Sequence, residues 1–372
     1  MMSPKPSLDV GDSRSNGHAW ITNQRPGSAS FRYTPLQIIH IIGNFMRIWS
    51  VFSMYLYVTE QGASVIAFLF TCLVPSSIIF LALQKPWKGR ALSNSQVVPS
   101  IINGGITALY FIFWGKGLKS CGPVRAIMAE YAGAVLGVLS AFLYGRWGRL
   151  WKKVGGLLAI MAAFYLLSQG WATTTYSPFP SKGSLGTDSS TQTDQPLEIK
   201  TMTVPIIAGI LSALRRVIAR RVSLKNQLKR RLHAITITSA TCFLFPLAMW
   251  EMLLGPTAER GIKPSFPTWA YLSMTLFGII FVYYVDNIAE ERLHLVVSSP
   301  RHLMVTGICI IVLEIAYKRD FSILGFLICS LFLGVGIYEA TSLERTKKDP
   351  IHLEGLPDGA FDSQMPLSPL PT

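Results

Sequence analysis

The chain has 372 residues, 50% of them hydrophobic and 15% charged, with a formal net charge of +14 and a mean hydropathy of +0.38. Soluble domains average about 25% charged residues, so a chain this long and this poor in charge cannot cover a soluble surface. Its basic residues fall in the gaps between long apolar blocks, which argues against nucleic acid as a partner and for the membrane, the cations acting as topology and headgroup signals.

Residues 1–34 are rich in Ser, Gly, Asn and Arg and predict a disordered cytosolic N-terminus with no cleavable signal peptide. Apolar spans follow at about 37–59, 63–83, 97–115, 124–144 and 154–171, a first membrane unit over 35–171. A Ser/Thr/Gly-rich stretch, 172–200, reads as a flexible non-cytosolic linker. A second unit, 201–340, carries spans at about 202–219, 233–255, 269–287, 296–316 and 321–340, and a polar, Pro-rich cytosolic tail fills 341–372. Most spans are near the ~20 residues that cross a bilayer. The expected fold is an all-α polytopic membrane protein of about ten transmembrane helices.

Charge sets the orientation. Lys85, Lys88 and Arg90 follow the second span, Arg146, Arg149, Lys152 and Lys153 the fourth, and the run Arg215–Arg231 the sixth, while Arg345, Lys347 and Lys348 open the tail. The intervening gaps are balanced or hold only Lys116 and Lys119. The excess places both ends and every even-numbered loop in the cytosol. Trp87, Trp147 and Trp151 would lie at one interface, with Trp114, Trp171, Trp250 and Trp269 at the other. The sixth span is the weakest: its clean apolar core, Met202–Leu214, is short, and Arg215 and Arg216 would have to snorkel. Without it, the basic run and the start of the tail would face opposite sides.

Five spans per unit is an odd number, so the second unit enters upside down relative to the first. Two inverted five-helix repeats are a common transporter device. A shared signature stands before the fourth span as Cys121-Gly122-Pro123-Val124-Arg125 and at the ninth as Ser298-Ser299-Pro300-Arg301. Small residues permit a tight turn, and Pro suits the first turn of a helix.

Ionisable groups inside a span are costly and are candidates for function. Gln37, His40, Asn44 and Arg47 share one face of the first span, which would either line a polar cavity or pack on neighbours through internal hydrogen bonds. Glu130 is followed by Gly133 and Gly137 on its face, so another helix can approach closely. Glu130 needs a cation, Arg47 or Arg125 by depth, and would serve as a structural ion pair or as a substrate contact. Asp286, Glu290 and His294 share a face of the eighth span; carboxylate and imidazole would suit a metal, and ion pairs with Arg292 or Arg301 would satisfy the same groups. His302 and Cys309 form a weaker pair on the ninth. The run Arg215–Arg231 reads as a helix lying on anionic lipid.

The cysteines Cys72, Cys121, Cys242, Cys309 and Cys329 have no C-x-x-C spacing, so neither a zinc ribbon nor a disulfide framework is expected. No P-loop, G-x-S-x-G, H-E-x-x-H or phosphate-binding glycine loop occurs, and neither an enzymatic activity nor a bound cofactor is expected.

Three segments together resemble the membrane-embedded N-terminal half of large cation-diffusion-facilitator zinc transporters, the animal type five and the plant metal tolerance protein type twelve. They are Leu83-Gln84-Lys85-Pro86-Trp87, Gly117-Leu118-Lys119-Ser120-Cys121-Gly122-Pro123-Val124-Arg125 and Tyr283-Tyr284-Val285-Asp286-Asn287. The likeness runs over about 35–345. It implies Golgi or other early secretory membranes, zinc as a transported species, and a heterodimer with a cation-diffusion-facilitator chain. The family's metal exchange belongs to a C-terminal module with His/Asp pairs and a His-rich loop. This chain has six His and no tract, and is expected to be the N-terminal half alone, so no metal ligand carries over. The implied role is to stabilise or pair with a cation-efflux chain. The architecture also resembles the drug/metabolite transporter superfamily, which implies an autonomous carrier of an organic anion such as a nucleotide sugar. Arg47 and Arg125 would then fit the place where its phosphate lands, with His40, Asn44, Glu130 and Arg301 as further candidate substrate contacts.

Overall fold

Backbone N–H and C=O groups find no water inside a bilayer, so apolar blocks of this length must close their hydrogen bonds internally, as helices. The computed structural model describes residues 28–62, 64–89, 91–143, 150–173, 178, 199–222, 226–254, 268–292 and 299–346, and among these there is no strand. The helices are α1 Ser28–Gln61, α2 Val65–Gln84, α3 Asn94–Cys121, α4 Pro123–Ala129, α5 Ala134–Leu143, α6 Leu150–Ser168, α7 Ile199–Val222, α8 Asn226–Leu254, α9 Thr268–Ser273, α10 Val282–Arg292, α11 Pro300–Ala316 and α12 Ile323–Thr346. A 3₁₀ turn, Glu130–Gly133, joins α4 to α5, and a π-helical segment, Met274–Phe281, joins α9 to α10. Most of the expected linker and tail lie outside the described residues.

Among the described residues, eight helical segments are long and apolar enough to cross a membrane. They match the expected spans one, two, three, five, six, seven, eight and ten. The doubtful sixth is one continuous helix, with Lys200–Val222 apolar enough to cross. The expected fourth span is the α4–turn–α5 run, broken at Glu130. The expected ninth, α11, has 17 residues and would extend only about 25 Å, short of the ~30 Å hydrocarbon core. Outward faces are apolar, as in the row Met304, Ile308, Val312 and Ile315 on α11; an exposed apolar face of this kind suits lipid.

Local chemistry starts the helices where the small-residue motifs stand. Gly122 takes φ +82° between α3 and α4, a conformation that glycine adopts without a Cβ penalty, and Pro123 fills the first turn of α4. Ser299 caps α11 by accepting from the His302 N–H at 3.3 Å, with Pro300 in its first turn. The two motifs share this role, but their arginines part: Arg125 is buried and Arg301 exposed.

Contacts between helix ends sort the loops into two sets. At one end the Arg231 guanidinium donates to the Pro86 carbonyl, and Gln84 Nε2 donates to the Tyr284 hydroxyl at 2.8 Å. At the other, Ser64 bonds Glu251, the Cys121 thiol reaches the Thr201 carbonyl at 3.5 Å, the Ser322 N–H donates to the Ala172 carbonyl at 2.8 Å, and Arg319 lies over the Tyr55 ring. Each contact joins ends that the charge pattern assigns to one side. Trp87, Trp151, Trp250 and Trp269 are exposed, as interfacial rings should be, whereas Trp114 is buried beside Tyr110. Its helix, α3, is enclosed by α7 and α8, so the ring faces protein.

In the interior, α2 packs on α8, α6 on α12, and α3 on both α7 and α8, while α1 lies against the α9–π–α10 run and α11. Glycine sets the closest approaches. A Cβ added at Gly133 would lie 2.5 Å from the Ala213 Cβ, and one at Gly209 would overlap the Ala129 carbonyl. After Glu130, Gly133 therefore admits α7, whereas Gly137 faces the Ala340 carbonyl of α12, close approaches of the kind small residues allow between membrane helices.

Candidate functional site

Five of the polar residues read from the sequence, His40, Asn44, Arg47, Glu130 and His302, converge at the centre of this packing. Along α1, Gln37 is exposed, but His40 and Asn44 are buried and Arg47 is largely so. The Arg47 guanidinium pairs with the Glu130 carboxylate. Of the two cations considered for Glu130, Arg47 is the partner. The side chains are 15% and 7% exposed, too little for water to solvate either charge. On an insertion scale a lone charged residue at mid-membrane costs about 2.5–3.5 kcal/mol; the pair offsets that cost for both groups. Tyr110 on α3 donates to Glu130 Oε1 at 3.3 Å. The Arg215 guanidinium lies 4.5 Å from the centre of the Tyr110 ring, a cation–π geometry.

A second set of bonds ties the same turn to α11. Asn44 Nδ2 donates to Thr306 Oγ1 at 2.9 Å, and the Tyr131 hydroxyl donates to the same oxygen at 2.8 Å. The Tyr131 hydroxyl also lies 2.6 Å from His302 Nδ1, a hydrogen bond whose donor is set by the imidazole tautomer. The His40 ring lies 5.4 Å from that of His302, and both of its nitrogens are buried without a protein hydrogen-bond partner. Asp286 on α10 acts electrostatically on His40 and Arg47.

Asn44, Arg47, Glu130, Tyr131, His302 and Thr306 line a cavity of about 10 Å³, room for about one water. A solute of several atoms would enter only after α1, α4 and α11 had parted. The site is thus a closed, polar junction between the first and second membrane units.

The other candidates lie elsewhere. Arg125 Nε donates to the Leu167 carbonyl at 3.0 Å, where a cation meets the C-terminal turn of α6 favourably. Arg301 is on the exposed side of α11. His294 and the side chain of Glu290 lie outside the described residues. Among those described, no group of three or more His, Cys, Asp or Glu converges on a metal position. Cys309 is buried on α11, but His302 is engaged with Tyr131 instead.

Tyr110, Tyr131 and Thr306 belong to this junction and were not singled out in the sequence; Arg215 belongs to it too, and was read there as facing lipid headgroups. Tyr131 adjoins Glu130, and Thr306 stands one helical turn from His302, so both had a positional signal. Arg215 had a misleading one. Read as a snorkelling cation, it is instead turned inward onto Tyr110, with its Nε buried and unbonded. Arg216 bonds Ser212 of its own helix at 3.1 Å.

No family model matches the chain, and no curated protein matches it. One solved structure, described only as "Crystal structure of protein", superposes with a TM-score of 0.48 at 18% identity, covering 83% of this chain and 98% of that one. A likeness at that level carries no argument.

Proposed function

We propose that this integral, multi-pass membrane protein is a carrier with ten spans in two inverted halves, and that it moves an organic anion, such as a nucleotide sugar, by alternating access. The single observation that carries this reading is the buried Arg47–Glu130 pair, flanked by Arg215 and Tyr110. Cations at mid-membrane are retained where a substrate or ion uses them.

The packing supports the inverted halves. If span n corresponds to span n+5, then α2 on α8 and α6 on α12 are self-related pairs. The contact of α3 with α7 corresponds to that of the α9–α10 run with α1, and the contact of the Glu130 turn with α7 to that of α11 with α1. Arg47 and Arg215 then stand on corresponding spans, one and six. The test is reconstitution of the purified chain in liposomes with a panel of labelled uridine, guanosine and cytidine nucleotide sugars. Uptake lost in Arg47→Gln supports the carrier; no uptake of any of them by the wild type, into either empty or preloaded liposomes, rejects it.

A second reading has its own support. Two of the segments that resemble the zinc-transporter half touch each other, through the Gln84–Tyr284 bond. Under it, the chain pairs with a cation-efflux chain in Golgi or other early secretory membranes. Loss of zinc-dependent secretory enzyme activity on deletion, without a glycosylation defect, would favour this reading over the first.

A further inference from the structure

A carrier that returns empty must move its binding site across the membrane without substrate. A substrate-binding arginine left alone in that step would carry an unneutralised charge through a low-dielectric barrier. Carriers with such a site are therefore held to exchange, because only a bound anion lets them turn over. In this chain Arg47 is not left alone: Glu130 already occupies it.

We infer that Glu130 is an internal counter-ion that stands in for the substrate anion, so that the empty carrier can reorient and the protein performs net one-way transport rather than obligatory exchange. This rests on the carrier reading above. Glu130 is placed to do both jobs. It sits on a 3₁₀ turn between α4 and α5, a point where the helix is locally rewound, and it is held by two elements besides its own, through Arg47 of α1 and Tyr110 of α3. Arg215 of α7 feels the Glu130 charge together with those of Arg216 on its own helix and Asp286 on α10. Arg215 rests on the face of Tyr110, so an arriving anion that took Arg47 from Glu130 would leave the carboxylate beside a second cation. The 10 Å³ cavity between Arg47, Glu130 and His302 fits the empty, self-neutralised state, since it admits no organic anion.

The experiment compares two fluxes of the labelled nucleotide-sugar panel in proteoliposomes: net uptake into vesicles without internal substrate, and exchange into vesicles preloaded with the same unlabelled compound. Wild-type protein should show both. Glu130→Gln keeps the shape and most of the hydrogen-bonding capacity but removes the charge. It should retain exchange while net uptake falls on the order of a hundredfold, the factor that corresponds to the insertion-scale cost of an unpaired arginine. Retained exchange also shows that the variant is folded. A wild type that exchanges but shows no net uptake overturns the inference and leaves the carrier reading standing, and this holds whether or not the variant folds. A variant in which both fluxes match the wild type, or fall equally, overturns it as well. A wild type with neither flux rejects the carrier reading itself and the inference with it.

Discussion

The guanidinium of Arg47, midway along α1, closes on the carboxylate of Glu130, at the break between α4 and α5. One charge pair therefore fastens the first helix of the chain to the only interrupted helix of its first membrane unit among the described residues. Breaking it from either side should cost more than removing it whole. Loss of one partner strands a buried charge, worth about 3–5 kcal/mol, whereas an apolar pair of similar volume is close to neutral. Arg47→Met and Glu130→Leu should each lower the thermal unfolding temperature in detergent clearly, and the double variant should recover most of the loss. Additive losses in that cycle would mean the two groups do not interact.

Tyr131 is the hydroxyl through which the Glu130 turn meets α11. Replacing it with Phe leaves His302 Nδ1 without its closest partner, while Thr306 Oγ1 keeps the bond from Asn44. An unsatisfied buried group costs about 1–3 kcal/mol. Tyr110→Phe removes one longer bond, at 3.3 Å, so its effect on thermal stability should be smaller. The reverse order would contradict the described geometry.

Gly133 closes the 3₁₀ turn and Gly155 lies within α6, and their surroundings differ sharply. A Cβ at Gly133 meets Ala213 at 2.5 Å, whereas nothing lies within 4 Å of one at Gly155. Gly133→Ala should destabilise by about 1–3 kcal/mol through overpacking. Gly155→Ala should stabilise, by up to about 1 kcal/mol, through helix propensity. Parallel unfolding curves of the two variants check both signs.

The spans were legible because hydrophobicity over about twenty residues is an averaged property that single residues do not disturb. The exceptions have local causes. The fourth expected span contains Glu130 and tightens into a 3₁₀ turn there, and the ninth is short. The junction was legible in part. Spacing put His40, Asn44 and Arg47 on one face, and the glycines after Glu130 announced a close helix. Spacing within a helix does not say which neighbour it meets, so the choice of Arg47 over Arg125 for Glu130 was open. Arg215 was misassigned for the same reason: a cation near the end of a span reads as headgroup-facing until the ring that receives it, Tyr110 on a distant segment, is known.

The account depends on the basic gaps lying together on one side of the bilayer. Single cysteines placed at the exposed positions Lys88, Arg230, Lys116 and Lys318, in a chain whose five native cysteines are replaced by alanine, can be reacted with a membrane-impermeant maleimide in sealed, oriented vesicles. Positions 88 and 230 should label from one face and positions 116 and 318 from the other. Labelling of 88 and 230 from opposite faces would contradict the arrangement, and with it the inverted halves and the central charge pair as a transport site.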